Sequence, residues 1–217
     1  MRKMYSLLVT GMLLILSMQV QAKDNKDAKE SKDVHKQTSH ILIIGLDENV
    51  KSNYYYNGMI AEETGIEADS INLEFNRIIS ENIATSNKDK DCKFVSAGPE
   101  QINDQFLQSI KVNGESEDCY SDITSVSSAE WQKTLDKVNA DYMLILNQHY
   151  LKWQEVPLRT LFHIVSYTVF DKDKKEVCRG NQYFTSMHLE KPEILRKISL
   201  KSTSKIASNV TKSLKAN

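Results

Sequence analysis

The residues best suited to chemistry in this chain are two histidines, three cysteines and a run of aromatics. His149 and His163 stand at equal distance from the centre of the segment joining two strand-like stretches. A symmetric hairpin would place them directly opposite each other on one face. Two imidazoles begin a metal site, yet such a site needs a third ligand, and no candidate lies close in sequence. The alternative is that both cap the exposed end of a sheet as polar surface residues. Cys92, Cys119 and Cys178 show none of the CxxC or HxxxH spacing that would pre-form a zinc site. Cys92 and Cys119 sit beside polar loop sequence, whereas Cys178 falls inside a strand-like run. A Cys92–Cys119 bridge and no bridge at all both fit that placement. If formed and relaxed, the bridge would stabilise by about 3 kcal/mol.

Other chemistries are poorly supplied. There is no GxSxG elbow, and the cysteines lack the local signatures of thiol enzymes. Gly45 stands alone, without the GxGxxG or GK[ST] patterns that cradle phosphate. Asp171 and Asp173 resemble a fragment of a calcium loop, but the lysines between and after them argue for a solvated turn. Asn209-Val210-Thr211 is formally a glycosylation sequon inside a helical stretch and carries no weight. No cofactor is expected.

The aromatics carry more. Tyr54, Tyr55 and Tyr56 are consecutive in polar sequence and cannot all face inward, while Tyr150 and Trp153 occupy the end of a strand that has turned polar. Exposed rings near a sheet end suit protein or glycan contacts, because they offer large area and few rotamers to freeze. The competing reading is that they cover the sheet edge or pack under the long loop. The lysine-rich last helix, with Lys191, Arg196, Lys197, Lys201, Lys205, Lys212 and Lys215, is most simply a solvated face.

The elements that must position these residues follow from periodicity. Ile41 to Ile44 is an uninterrupted apolar run ended by Gly45, which suits a strand buried on both faces. A loop is expected over 47–68. Ile71, Phe75, Ile78, Ile79 and Ile83 then recur at helical spacing, with Asp69 or Ser70 as cap. A strand over 93–96 precedes Gly98-Pro99 and a helix striped by Ile102, Phe106, Leu107 and Ile110. After a polar loop over 113–125, Ser127 to Glu130 reads as a capping box opening a helix with Trp131, Leu135 and Val138. Strands over 141–153, 161–170 and 176–184 follow, and Pro192 opens the closing helix. The order β-α-β-α-α-β-β-β-α predicts a single α/β domain whose mixed five-stranded sheet packs against helices.

Composition agrees. Of 217 residues, 40% are hydrophobic and 26% charged, which excludes a disordered or fibrous chain. The formal charge of −1 gives no global field for nucleic acid or an anionic membrane. Arg2 and Lys3, the apolar stretch Leu7 to Leu16, and Val20-Gln21-Ala22 have the layout of a cleaved secretory signal over residues 1–22. No cysteine follows that stretch, so a lipoprotein attachment site is not expected. Residues 23–39 (KDNKDAKESKDVHKQTS) alternate lysine and acid almost without apolar content and read as a flexible charged tether to a domain over 40–217. Removal of the signal shifts the charge to −3, because it takes two cations and no acid.

The segment Val138 to Leu146 (VNADYMLIL) resembles the helix-then-strand element of a bacterial envelope superfamily that includes the TolB amino-terminal domain, CsgG and LpoB. Tyr167 to Asp171, with Glu176-Val177, resembles the hairpin that follows it. The resemblance covers most of residues 40–214 and implies a mixed α/β fold in an envelope protein. Two features depart from it: the lipobox of several members is absent, and Asn147-Gln148 replaces a small, glycine-containing pair. No partner or pore function is therefore carried over.

These observations lead to an exported, periplasmic or secreted, non-enzymatic binding or assembly module with an envelope protein as partner. It would use no nucleic acid and keep no stable membrane anchor once the signal is removed. Tyr54, Tyr55, Tyr56, Tyr150 and Trp153 are its expected contact residues. The rival expectations are a metal-dependent protein or enzyme centred on His149 and His163, and a carrier of a small ligand.

Overall fold

The run Ile41–Ile44 forms the middle of β1 (Ser39–Gly45) and is buried on both faces, as an uninterrupted apolar stretch requires. The computed structural model describes residues 38–98 and 101–216. The expected signal and nearly all of the expected tether lie outside these residues. Ser39, assigned to the tether from sequence, already belongs to β1, and its N–H donates to the Asp91 carbonyl at 2.8 Å.

From β1 the chain passes through β2 (Val50–Ser52), α1 (Asn57–Thr64) and a short 3-10 turn into α2 (Ile71–Ser86) and β3 (Cys92–Ser96). Next come α3 (Asp104–Ser109), a small hairpin of β4 (Lys111–Asn113) and β5 (Tyr120–Asp122), and α4 (Ser128–Lys137). The long strands β6 (Tyr142–Gln154), β7 (Thr160–Asp171) and β8 (Glu176–Ser186) precede α5 (Pro192–Ala216). The main sheet runs β3-β1-β6-β7-β8, with β2 continuing beside β6 beyond the end of β1. β1 is parallel to β3 and β6, β2 is parallel to β6, and β6-β7-β8 is an antiparallel meander.

This is the mixed α/β arrangement expected from sequence, with four small elements added. β2 and α1 occupy the stretch expected to be loop over 47–68, while β4 ends at the start of the one over 113–125 and β5 lies within it. Three-residue strands are too short to show alternation, and α1 buries only Ile60 and Thr64. The helix expected from Gly98-Pro99 begins later, at Asp104. There the Asn103 side chain accepts from the Gln105 N–H at 3.0 Å. Pro99 lies outside the described residues.

The core has two layers. On one face of the sheet, Phe75, Ile78, Ile79 and Ile83 of α2 and Leu195, Ile206 and Val210 of α5 pack on Ile41, Ile43, Leu144 and Val169. On the other, Phe106, Trp131 and Leu135 pack on Leu42, Ile44, Met143 and Phe170. Trp131 stacks on Phe106, meets Phe170 edge-on and donates its indole N–H to the Asp171 carbonyl at 2.9 Å. Its helix starts where the sequence places a capping box: Ser127 Oγ accepts from the Glu130 N–H at 3.1 Å and meets the Glu130 carboxylate at 3.2 Å.

One irregularity decides which side chains reach the site. The β6–β7 register shifts between Leu146 and Gln148. Before this bulge, Leu144 and Leu146 face α2 and α5; after it, His149, Leu151 and Trp153 do. Asn147 and Gln148 both turn to the opposite face. There Asn147 bonds to Thr168 and Ser121, and Gln148 meets the Cys119 thiol.

Candidate functional site

The bulge sets His149 opposite Val165 and His163 opposite Leu151, so the two imidazoles are diagonal neighbours rather than a facing pair. Both lie on the α2/α5 face at 2% and 0% exposure, which corrects the expectation that they cap an exposed sheet end. Nε2 of His149 lies 3.2 Å from Nδ1 of His163, and Nε2 of His163 lies 3.1 Å from Ser186 Oγ. The Ser186 hydroxyl donates to the His188 carbonyl at 2.6 Å, so its one proton is committed. Ser186 must therefore accept from His163 Nε2–H, and His163 Nδ1 must accept from His149 Nε2–H. With burial keeping both rings neutral, this chain selects the Nε2–H tautomer of each. His163 stacks on Phe184, while Phe75 and Phe184 meet His149 edge-on. Burial pushes His149 down to about 3, and burial with the neighbouring His149 holds His163 well below the ordinary histidine range. Three of the four ring nitrogens are engaged, and only His149 Nδ1 is buried without a hydrogen-bond partner. Among the described residues no three His, Cys, Asp or Glu side chains are grouped to hold a metal ion. The pair forms a buried hydrogen-bonded relay in the core.

The expected Cys92–Cys119 bridge is not formed. Cys92 packs into the α2/α5 side of the core, whereas the Cys119 thiol donates to Gln148 Oε1 at 2.8 Å on the other side of the sheet. Burial, with Asp118 and Glu115 nearby, raises the Cys119 pKa, and burial raises that of Cys178.

Three of the five expected contact residues come together at the far end of β6. The Asn53 amide extends the β2–β6 ladder past Ser52: its Nδ2 donates to the Trp153 carbonyl at 3.0 Å, and the Trp153 N–H donates to its Oδ1 at 2.7 Å. Ser52 Oγ donates to the Leu151 carbonyl at 2.7 Å and accepts from the N–H groups of Tyr54 and Tyr55 at 3.1 and 2.9 Å. So anchored, the Tyr54 and Tyr55 rings pack on each other and on Trp153, with centroids 5.1 to 6.0 Å apart. Tyr55 and Trp153 are half-buried, and Tyr54 is 56% exposed. The Trp153 indole N–H is buried without a hydrogen-bond partner. Tyr56 flanks the cluster at the start of α1 with its ring 69% exposed. Tyr150 alternates to the opposite face of β6 and stays apart. Exposed Val156 and Leu158, in the turn after Trp153, extend the apolar character of this end.

Sequence reasoning missed a cavity of about 670 Å3 at the carboxyl ends of β1 and β3. From β1 the chain crosses to α2 on one face of the sheet, and from β3 to α3 on the other. Open α/β sheets take ligands at such a divergence of connections. Ile43, Ile44, Ile102 and Leu107 supply apolar wall, and Asp47, Glu48, Asp69 and Asp104 supply carboxylates. Asn76 closes the inner side: a Cβ at Gly45 would lie 2.3 Å from its Cγ. Asn76 also exchanges amide hydrogen bonds with Asn49 and donates to the Leu46 carbonyl. The signal open to sequence was Gly45 at a strand end with Asn72 and Asn76 one helical turn apart.

No protein-family model and no curated protein sequence matches this chain. Among solved structures it is similar to the hypothetical protein CT253 from Chlamydia trachomatis, at 10% identity over 83% of this chain and 99% of that one, with a TM-score of 0.46. It is similar also to lipoprotein GNA1162 from Neisseria meningitidis, at 12% identity over 79% and 99% of the two chains and a TM-score of 0.35. For the LpoB C-terminal domain from Salmonella enterica the values are 10% identity, 68% and 82% coverage, and 0.34. These are loose likenesses of layout.

Proposed function

We propose that this chain is an exported, non-enzymatic binding module of the bacterial envelope, holding a protein partner on the aromatic end built by Tyr54, Tyr55 and Trp153 with Tyr56 beside them. The observation that carries this reading is the anchoring of that cluster. Ser52 and Asn53 bond the backbone on both sides of the rings, so large apolar surface is presented with little freedom left to lose on binding. A cleaved signal over residues 1–22 and a tether over 23–38 complete the proposal, placing one α/β domain on a leash. Among the described residues no helix is long and apolar enough to cross a membrane.

The test is a pull-down from envelope extract with the full-length chain and with a Tyr54→Ala, Tyr56→Ala, Trp153→Ala variant. Central aromatic anchors typically contribute about 2 kcal/mol or more each, so the variant should recover less than about a tenth of the partner. Unchanged recovery with a folded variant removes this surface from the proposal.

A further inference from the structure

The end of the sheet that carries the aromatic rings also carries the most projecting apolar side chains. Among the described residues, the four most exposed large hydrophobics are Val156 at 78%, Leu158 and Met187 at 74% each, and Tyr56. They come from three separate connections. Ser52 pairs with Leu151, Gln154 with Thr160 and Leu161 with Ser186, so the β2–α1, β6–β7 and β8–α5 connections emerge together. A single exposed apolar side chain needs no explanation, but a concentration of them at one end does.

The tip of the β6–β7 turn also covers its own polarity. The Gln154 amide donates to the Val156 carbonyl at 2.7 Å, and the Thr160 hydroxyl donates to the Leu158 carbonyl at 3.2 Å. Between them, Pro157 has no N–H to satisfy. In the β8–α5 connection the Ser186 hydroxyl covers the His188 carbonyl. Water serves exposed carbonyls without such help, whereas hydrocarbon requires the chain to supply its own partners. Behind the aliphatic tip stand the rings of Tyr54 and Trp153, and flanking it Glu155 and Arg159 carry charge on long, flexible stems. Aliphatic tip, aromatic collar and then charge is the order of a bilayer surface from acyl chains to headgroups. We infer that this end dips into a phospholipid bilayer, with Val156, Leu158 and Met187 among the upper acyl chains and the rings at headgroup level. The contact is peripheral and reversible. It goes beyond the protein partner proposed for the rings and does not depend on it.

The experiment mixes the full-length chain with phosphatidylcholine vesicles, plain or brominated near the top of the acyl chains. Trp131 is fully buried under the opposite layer, so quenching by the bromines falls on Trp153. Emission should be quenched on brominated vesicles, and a Trp153→Phe variant should lose that quenching. A Val156→Ser, Leu158→Ser, Met187→Ser variant should partition at least about tenfold more weakly, because each change removes apolar area from the contact. All three side chains project into solvent, so this variant should keep the circular dichroism of the parent chain. Binding through the expected signal segment alone would leave Trp153 unquenched. An unquenched Trp153 would leave this end to a protein partner alone and overturn the inference. So would equal partitioning of parent and serine variant, or binding that appears only with added phosphatidylglycerol, as the lysines of α5 would produce. The three serine positions are absent from the pull-down variant, so membrane contact and partner recovery can fail separately.

Discussion

At the scale of single residues, the buried histidines make stability a function of acidity. In the unfolded chain both titrate near the ordinary value of about 6.5, whereas in the folded chain His149 is held at about 3 and His163 is also lowered. Between those limits the unfolded state binds more protons. The contribution is therefore complete above about pH 6.5 and is lost as the pH falls toward the folded values, by up to about 1.4 kcal/mol per pH unit for each ring. Urea denaturation at pH 7 and pH 5 should show a marked fall in the midpoint, and a His149→Gln, His163→Gln variant should show a shallower one. A chain equally stable at both pH values would contradict the neutral relay. The sequence brought these residues to notice through their spacing around the hairpin. It did not reveal their burial, because the bulge that moves His149 onto the α2/α5 face has no local signature beyond Asn147-Gln148.

At the scale of elements, legibility followed length. β1, α2, β6, β7, β8 and α5 each carry enough apolar residues to show a period. β2, at three residues, is specified by its distant partner β6, and β4 and β5, equally short, by pairing with each other. Of the expected contact residues, Tyr54, Tyr55 and Trp153 converge because β2 pairs with β6, a pairing that the tyrosine run alone does not announce. The cavity was illegible for the same reason, since its lining comes from four separate stretches of chain. Its inner wall depends on one close approach, that of α2 to β1 at Gly45. A Gly45→Ala substitution places its methyl group against Asn76 and disturbs the amide pair with Asn49. Overpacking of this kind costs about 1–3 kcal/mol. Chemical denaturation should show that loss, and an unchanged midpoint would mean that Asn76 moves aside freely.

At the scale of the whole molecule, two cores share one sheet. Ile41 and Ile43 point into one layer while Leu42 and Ile44 point into the other, so neither layer can open without loosening β1. The two tryptophans report on the two sides, Trp131 on the buried face of α4 and Trp153 at the aromatic end. Single-tryptophan variants, Trp153→Phe and Trp131→Phe, should each give a fluorescence transition that coincides with loss of circular dichroism in that variant. Separate midpoints within one variant would show that the layers come apart independently. The bulge in β6 has a consequence for how this chain tolerates change. It splices an even phase of the strand to an odd one, so deleting Asn147 or Gln148 would restore plain alternation and leave Leu144, Leu146, His149, Leu151 and Trp153 on the α2/α5 face. Deleting both would instead turn Tyr150 and Lys152 inward and Leu151 and Trp153 outward. This stretch of β6 can thus lose one residue but not two, a parity rule written by one extra amino acid.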